Sequence, residues 1–238
     1  MRRCSLFALP TQCWVCAAWP VFNPVCGSCL AQHAKAQRRC STCALLLPDS
    51  APAAQCGACV RQAPLLAACW AAVDYAAPWR DLVRRWKLAP QPALAAAAAQ
   101  LMRAQLPLAA LAQQADVLLP IPPAPERARQ RGFHHTLLLA RALAMDMHLP
   151  INTTSLLRLP EMPGQHQALR KRPERLRAMR GAFVMAPWQE AALQGRRVLL
   201  LDDVMTTGAT LHSAAHTLLQ AGAAQVSAVV LARTAAPV

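Results

Sequence analysis

The sequence predicts an α/β fold, a mainly parallel sheet flanked by helices, with a small cysteine-rich module in front of it. Three observations carry this. From residue 65 onward, apolar runs of strand length alternate with helical patterns. One such run, Val198 to Leu201, leads directly into two carboxylates, a Thr- and Gly-rich loop and a new helical pattern. Eight of the ten cysteines form four Cys-x-x-Cys pairs at the start of the chain.

The pairs are Cys13/Cys16, Cys26/Cys29, Cys40/Cys43 and Cys56/Cys59. Each projects two thiolates from one tight turn onto the same ion, and two pairs complete a tetrahedral Cys₄ site of the kind Zn²⁺ favours. Four pairs fit two structural zinc ions. The surrounding sequence, rich in Pro, Gly, Ala and Ser, could hardly bury a core unaided, so metal binding would supply much of its folding energy. Disulfides do not suit a reducing cytosol, one redox pair would not explain four in series, and an iron–sulfur site is the remaining alternative. Short spacers favour sequential grouping, Cys13, Cys16, Cys26 and Cys29, then Cys40, Cys43, Cys56 and Cys59. A crossed grouping is the alternative.

Gln62 to Pro64 reads as a join, dividing the chain into a cysteine-rich module over 1–64 and an α/β domain over 65–238. Leu65 to Tyr75 is apolar enough for a strand. Pro78 to Lys87 reads as an amphipathic helix with Trp79, Leu82, Val83 and Trp86 on one face. Ala93 to Leu106 is a helix by composition. Val117 to Ile121 is a strand ended by Pro122 and Pro123. The next helix begins at Gly132 or Phe133 and runs to Met147, and Val226 to Ala232 is a final strand. A basic segment, Arg158 to Arg180, is interrupted by prolines and reads as a mobile loop able to close over a phosphorylated substrate, or as a solvated face.

Ligand sites in such sheets lie at the carboxyl ends of the strands. Two strand ends stand out. After Leu201 come Asp202 and Asp203, then Thr206, Thr207, Gly208, Ala209 and Thr210, where a helix starts. Free N–H groups at a helix start favour a phosphate, threonine hydroxyls add donors, and Gly208 lets the backbone curl around the anion. The two carboxylates can accept hydrogen bonds from a ribose diol and help hold Mg²⁺. A phosphate grip beside a diol grip describes a ribose 5-phosphate. After the second strand end, Arg127, Arg129 and Arg131 precede Gly132, and their charge suits a diphosphate.

The formal net charge of +14 suits a polyanionic ligand, a nucleic acid or an anionic membrane surface without choosing among them. No apolar run approaches the ~18 residues of a membrane span, so membrane insertion is not expected. The apolar patch near the N-terminus is interrupted by Gln12 and Cys13, too early for a secretory signal. A cytoplasmic protein is the expectation.

The segment VLLLDDVMTTGAT, Val198 to Thr210, resembles the signature of type I phosphoribosyltransferases, which bind phosphoribosyl pyrophosphate (PRPP). With the four Cys-x-x-Cys pairs, Asp74 to Lys87, PIPPAPERARQRGF (Pro120 to Phe133), Gln167 with Arg172 to Arg177, Gly181 to Phe183 and the ending Leu231 to Thr234, almost the whole chain resembles the ComF family. The resemblance implies a type I phosphoribosyltransferase-like domain behind an N-terminal double zinc ribbon, and a link to competence and the use of external DNA. It implies PRPP with Mg²⁺ as ligand, held by Asp202, Asp203 and Thr206 to Thr210. Arg131, Arg172, Arg175 and Arg177 would steady the leaving diphosphate, and Asp203 is the nearest candidate for a catalytic base. Single-stranded DNA and competence proteins are the implied partners. A non-enzymatic nucleic-acid or partner-binding protein that retains the ribose-phosphate site is the alternative.

Members commonly carry Asn-Gln after Arg-Gly-Phe, where this chain has His134 and His135, and an Asn where it has Ala178. Both histidines are expected as partly exposed helix residues rather than ligands. Neutralising Asp202 and Asp203 together is expected to cost ligand affinity while leaving stability equal or better.

Overall fold

A computed structural model describes residues 9–88, 91–160 and 181–235, with backbone alone at 92 and 190. Four parallel strands form the central sheet: β1 (Cys69–Asp74), β2 (Val117–Pro120), β5 (Arg197–Met205) and β6 (Gln225–Arg233), in the order β1-β6-β5-β2. Beyond β2, Ile151 adds a parallel bridge to Leu118. A separate antiparallel pair joins β3 (Leu156–Arg158) to β4 (Phe183–Met185).

Side chains alternate along each strand, so the buried central strands feed two cores. Leu199 and Leu201 of β5, with Val229 and Leu231 of β6, enter one core. Val198 and Leu200, with Ala228 and Val230, enter the other. The first core is closed by α3 (Trp79–Leu88), α4 (Pro92–Gln105), α5 (Leu108–Gln113) and α7 (His135–Met147). The second is closed by α9 (Ala209–Gln220), the short α8 (Glu190–Leu193) and the β3–β4 pair. The predicted apolar face of α3 is the one that buries: Trp79, Leu82, Val83 and Trp86 are all inaccessible. The alanine run of α4 presents small side chains that let it pack closely on its neighbours, and Ala97, Ala98, Ala99, Leu101 and Met102 are fully buried.

The cysteine-rich region carries two short helices, α1 (Gly27–His33) and α2 (Gly57–Arg61), and packs on the sheet domain. Trp79 Nε1 donates to the His33 carbonyl at 2.8 Å. Gln100 exchanges two hydrogen bonds with the Val25 backbone, at 2.8 and 2.9 Å. Arg39 pairs with Asp74 at 2.8 Å, and the Cys69 N–H donates to the Ser41 carbonyl at 2.9 Å.

Two elements differ from the sequence expectation. β5 does not stop at Leu201 but runs through both carboxylates to Met205, because β6 continues beside it to Arg233. The basic stretch after β2, to which the sequence assigns no element, forms α6 (Pro125–Arg131), with proline in its first turn and Gly132 at φ 71° closing it. Among the described residues, no helix is long and apolar enough to cross a membrane.

Candidate functional site

A cleft of about 230 Å³ opens at the carboxyl ends of the strands. It is lined by Asp202, Asp203 and Thr206 from β5 and the loop after it, by Thr210 of α9, by Arg127 and Arg131 from α6, and by Lys87, His135 and Arg158. The alternation that puts Leu199 and Leu201 on one face of β5 puts Asp203 there too, the face on which α3 and α7 lie. The Asp203 Oδ2 atom accepts from Lys87 Nζ at 2.8 Å and from His135 Nε2 at 2.8 Å. Burial opposes ionisation of Asp203, but the Lys87 ammonium and the His135 hydrogen bond outweigh it and hold the carboxyl well below the usual carboxylate range. Asp202 is in the opposite condition. Burial and then the charge on Asp203 push its carboxyl up, and the hydrogen bond that its Oδ1 accepts from the Asp203 N–H, at 2.8 Å, only partly offsets them.

Gly208 forms the N-cap of α9 with φ 81°, in the left-handed region. A Cβ there would stand 2.6 Å from Met205 Cε and 3.2 Å from the His212 ring. The methionine tip can move aside, so the backbone conformation is the larger obstacle. Gly208→Val is expected to lose about 1–3 kcal/mol from strain alone, more than Gly208→Ala, read as a lowered Tm. A valine variant as stable as wild type would mean that the loop has another conformation. The loop is tied from below by Arg233, a buried side chain at the end of β6. Its Nη1 donates to the Met205 carbonyl at 3.1 Å, to the Thr206 carbonyl and to the Thr234 carbonyl at 2.8 Å, while its Nε donates to the Cys43 carbonyl at 2.9 Å.

The cysteines form two groups, Cys13, Cys16, Cys26 and Cys29, and Cys40, Cys43, Cys56 and Cys59. Within each, the four sulfurs lie within 4.8 Å of one another, the arrangement of a closed tetrahedral metal site. The grouping is sequential. The groups are built alike: the first pair sits in a turn followed by a residue of positive φ, Ala17 or Ala44, and the second pair opens a short helix. Backbone N–H groups converge on one sulfur in each, from Cys26 to Cys13 at 3.4 Å and from Cys56 to Cys40 at 3.3 Å. Burial opposes ionisation of these two thiols, but the converging N–H groups win and bring Cys13 down to about 6 and Cys40 down to about 7. Each group can therefore hold one ion of a thiolate-seeking metal such as zinc.

Of the residues predicted for the ribose-phosphate site, Asp202, Asp203, Thr206, Thr210 and Arg131 line one cleft. Thr207, Gly208 and Ala209 complete the turn beside it, where the Ala209 N–H donates to Thr207 Oγ1 at 3.3 Å. Arg172, Arg175 and Arg177 lie outside the described residues. The expectation for His135 is corrected. It is 6% exposed rather than partly solvated, because the carboxylate at the end of β5 and the indole of Trp86 enclose it. Trp86 meets its ring edge-on with centroids 5.4 Å apart. His134 is half-buried, with Nε2 2.7 Å from Thr136 Oγ1 and 3.1 Å from the Ile121 carbonyl. Sequence reasoning missed Lys87 and Arg233. The signal for Lys87 was its place four residues after buried Val83, at the border of the apolar face of α3. The signal for Arg233 was a lone charge ending an apolar strand.

The phosphoribosyl transferase domain family matches residues 170–237, a span containing β5, the loop and α9. The DNA utilization protein YhgH of Salmonella typhimurium is 29% identical over 233 residues, covering 96% of this chain and 100% of its own length. The competence protein ComFC of Bacillus subtilis is 39% identical over 119 residues, 50% of this chain and 45% of its own. The adenine phosphoribosyltransferase of Nocardia farcinica is 56% identical over 50 residues, 21% of this chain and 26% of its own. Parallel sheet, strand-end carboxylates and matched domain together define a type I phosphoribosyltransferase-like protein fronted by a module of two Cys₄ groups. The chain is thus similar over nearly its whole length to YhgH and over half of it to ComFC.

Proposed function

We propose that the cleft binds PRPP with Mg²⁺, that the two Cys₄ groups hold zinc, and that the protein acts in the cytoplasm in the use of external DNA, as the names of its relatives suggest. The observation that carries the reading is the union, in one cleft, of Asp202 and Asp203 at the end of β5, the Thr206–Thr210 turn opening α9, and Arg127 and Arg131 facing them from α6. The turn would take the 5-phosphate, the open carboxylate oxygens the ribose hydroxyls, and the arginines the diphosphate. Mg²⁺ supplies charge neutralisation on the diphosphate when bound. In pentosyl transfer the bond between C1 and the diphosphate oxygen breaks, a nitrogen nucleophile forms the new bond to C1, and the electron pair leaves with diphosphate. Preorganised cations favour that leaving charge. The domain division, a module over 1–64 and a phosphoribosyltransferase-like domain over 65–238, belongs to the same reading.

Titration of the protein with PRPP and Mg²⁺ is expected to show one site per chain and a raised Tm. Absence of binding would overturn the reading. A second reading is a binding protein that keeps the ribose-phosphate site without turnover. The aromatic rings of Trp19 and Phe22, each 64% exposed beside the first Cys₄ group, favour it, since exposed rings stack on single-stranded bases. Labelled single-stranded DNA is then expected to bind with an affinity that falls linearly in log–log plots against salt. Diphosphate release with candidate bases decides for the enzyme, and its absence together with DNA binding decides for the second reading.

A further inference from the structure

His135 touches both halves of the proposed ligand site. Its Nε2 lies 2.8 Å from Asp203 Oδ2 and its Nδ1 lies 3.3 Å from Arg131 Nη1. A guanidinium has donors and no acceptor. The bond to Arg131 therefore requires a lone pair on Nδ1, which leaves the ring proton on Nε2 to donate to the carboxylate. Both contacts are satisfied at once by a single protonation state, the neutral Nε2–H tautomer. Trp86 packs against the ring and prevents it from turning away.

We propose that His135 is a positioning residue that couples the ribose grip at Asp203 to the diphosphate grip at Arg131. This rests on the ribose-phosphate reading above. A side chain without an acceptor at this place would leave the Arg131 N–H without its partner on Nδ1, so the loss is expected to weaken the grip on a diphosphate-bearing ligand more than on ribose 5-phosphate.

The test uses the full chain and three ligands: PRPP with Mg²⁺, Mg-diphosphate and ribose 5-phosphate. His135→Phe keeps the volume and the contact with Trp86 but offers neither acceptor nor donor, and is expected to bind PRPP about tenfold more weakly than wild type, the scale of one lost hydrogen bond to a charged group. Ribose 5-phosphate should change much less. His135→Gln keeps one acceptor and one donor, and is expected to recover part of the PRPP affinity that the Phe variant loses. A Phe variant that binds PRPP like wild type, or that loses ribose 5-phosphate as strongly as PRPP, overturns the inference. Nitrogen-15 shifts of the ligand-free His135 ring give a second arm that needs neither a variant nor a ligand. A proton on Nε2 at neutral pH supports the coupling, and a proton on Nδ1 overturns it. Failure of wild type to bind any of the three ligands would overturn the ribose-phosphate reading instead, while the ring tautomer still decides the hydrogen-bond chain.

Discussion

Cys40→Ser with Cys43→Ser is expected to remove one of two zinc ions and to melt the segment built around it. Structural zinc contributes apparent binding energies of about 10–16 kcal/mol in small Cys-rich folds, comparable to the whole stability of an ordinary domain, about 5–15 kcal/mol. The segment has little to replace it with, since its own buried cluster is Cys40, Leu47 and Cys59. The damage should not stop there. The Cys43 carbonyl accepts from Arg233, and the same guanidinium holds the Met205 and Thr206 carbonyls at the start of the phosphate turn. Ser41 and Arg39 add contacts to the two ends of β1. PRPP affinity should therefore fall with the loss of this metal, and more than in Cys13→Ser with Cys16→Ser, whose group meets the domain through Val25 and His33 instead. Metal analysis, thermal melts and ligand titration on both variants check this. Two zinc ions retained in the first variant, or equal PRPP affinity in both, would refute it.

The strands and helices that the sequence announced are those whose fate is decided locally. The four apolar residues before Asp202, the face of α3 and the alanine run of α4 each carry their own periodicity or propensity. The cysteine groups were legible because a metal site demands ligands at short spacing, though only the fold decides which pairs meet. What stayed hidden depends on neighbours distant in sequence. Asp203 is followed by no local sign that Lys87 and His135, from helices on the far side of two crossovers, will share its Oδ2 atom. His135 read as an ordinary helix residue because burial is a property of what covers it, here Trp86. The short antiparallel pair β3–β4 has too few residues in each strand to show an alternation.

The two adjacent carboxylates, alike in sequence, are expected to respond oppositely to the same mutation. Asp203→Asn should cost about 3–5 kcal/mol, the scale of breaking a buried ion pair by removing one partner. This corrects the expectation from sequence that neutralising both carboxylates leaves stability equal or better, because Asp203 is paired with Lys87 and His135. An amide oxygen in place of Oδ2 could still accept from both Lys87 and His135, which now donate to it at 2.8 Å, but it carries no charge and leaves the Lys87 ammonium without its counterpart. Asp202→Asn should leave stability unchanged or raise it, because burial and the charge of Asp203 already work against its ionisation. The pH dependence has opposite signs as well. The folded value of Asp203 is depressed, so its contribution is fully present above the ordinary aspartate value near 3.9 and is lost as pH falls through the folded value. The folded value of Asp202 is raised, so its ionisation costs stability at neutral pH and the cost fades as pH falls. Denaturant unfolding of each single variant at neutral pH separates the two roles, and titration with ribose 5-phosphate then reads the affinity each carboxylate contributes. A stable Asp203→Asn variant would mean that Lys87 and His135 find other partners, and a large loss in Asp202→Asn would mean that its charge is paired within the fold after all.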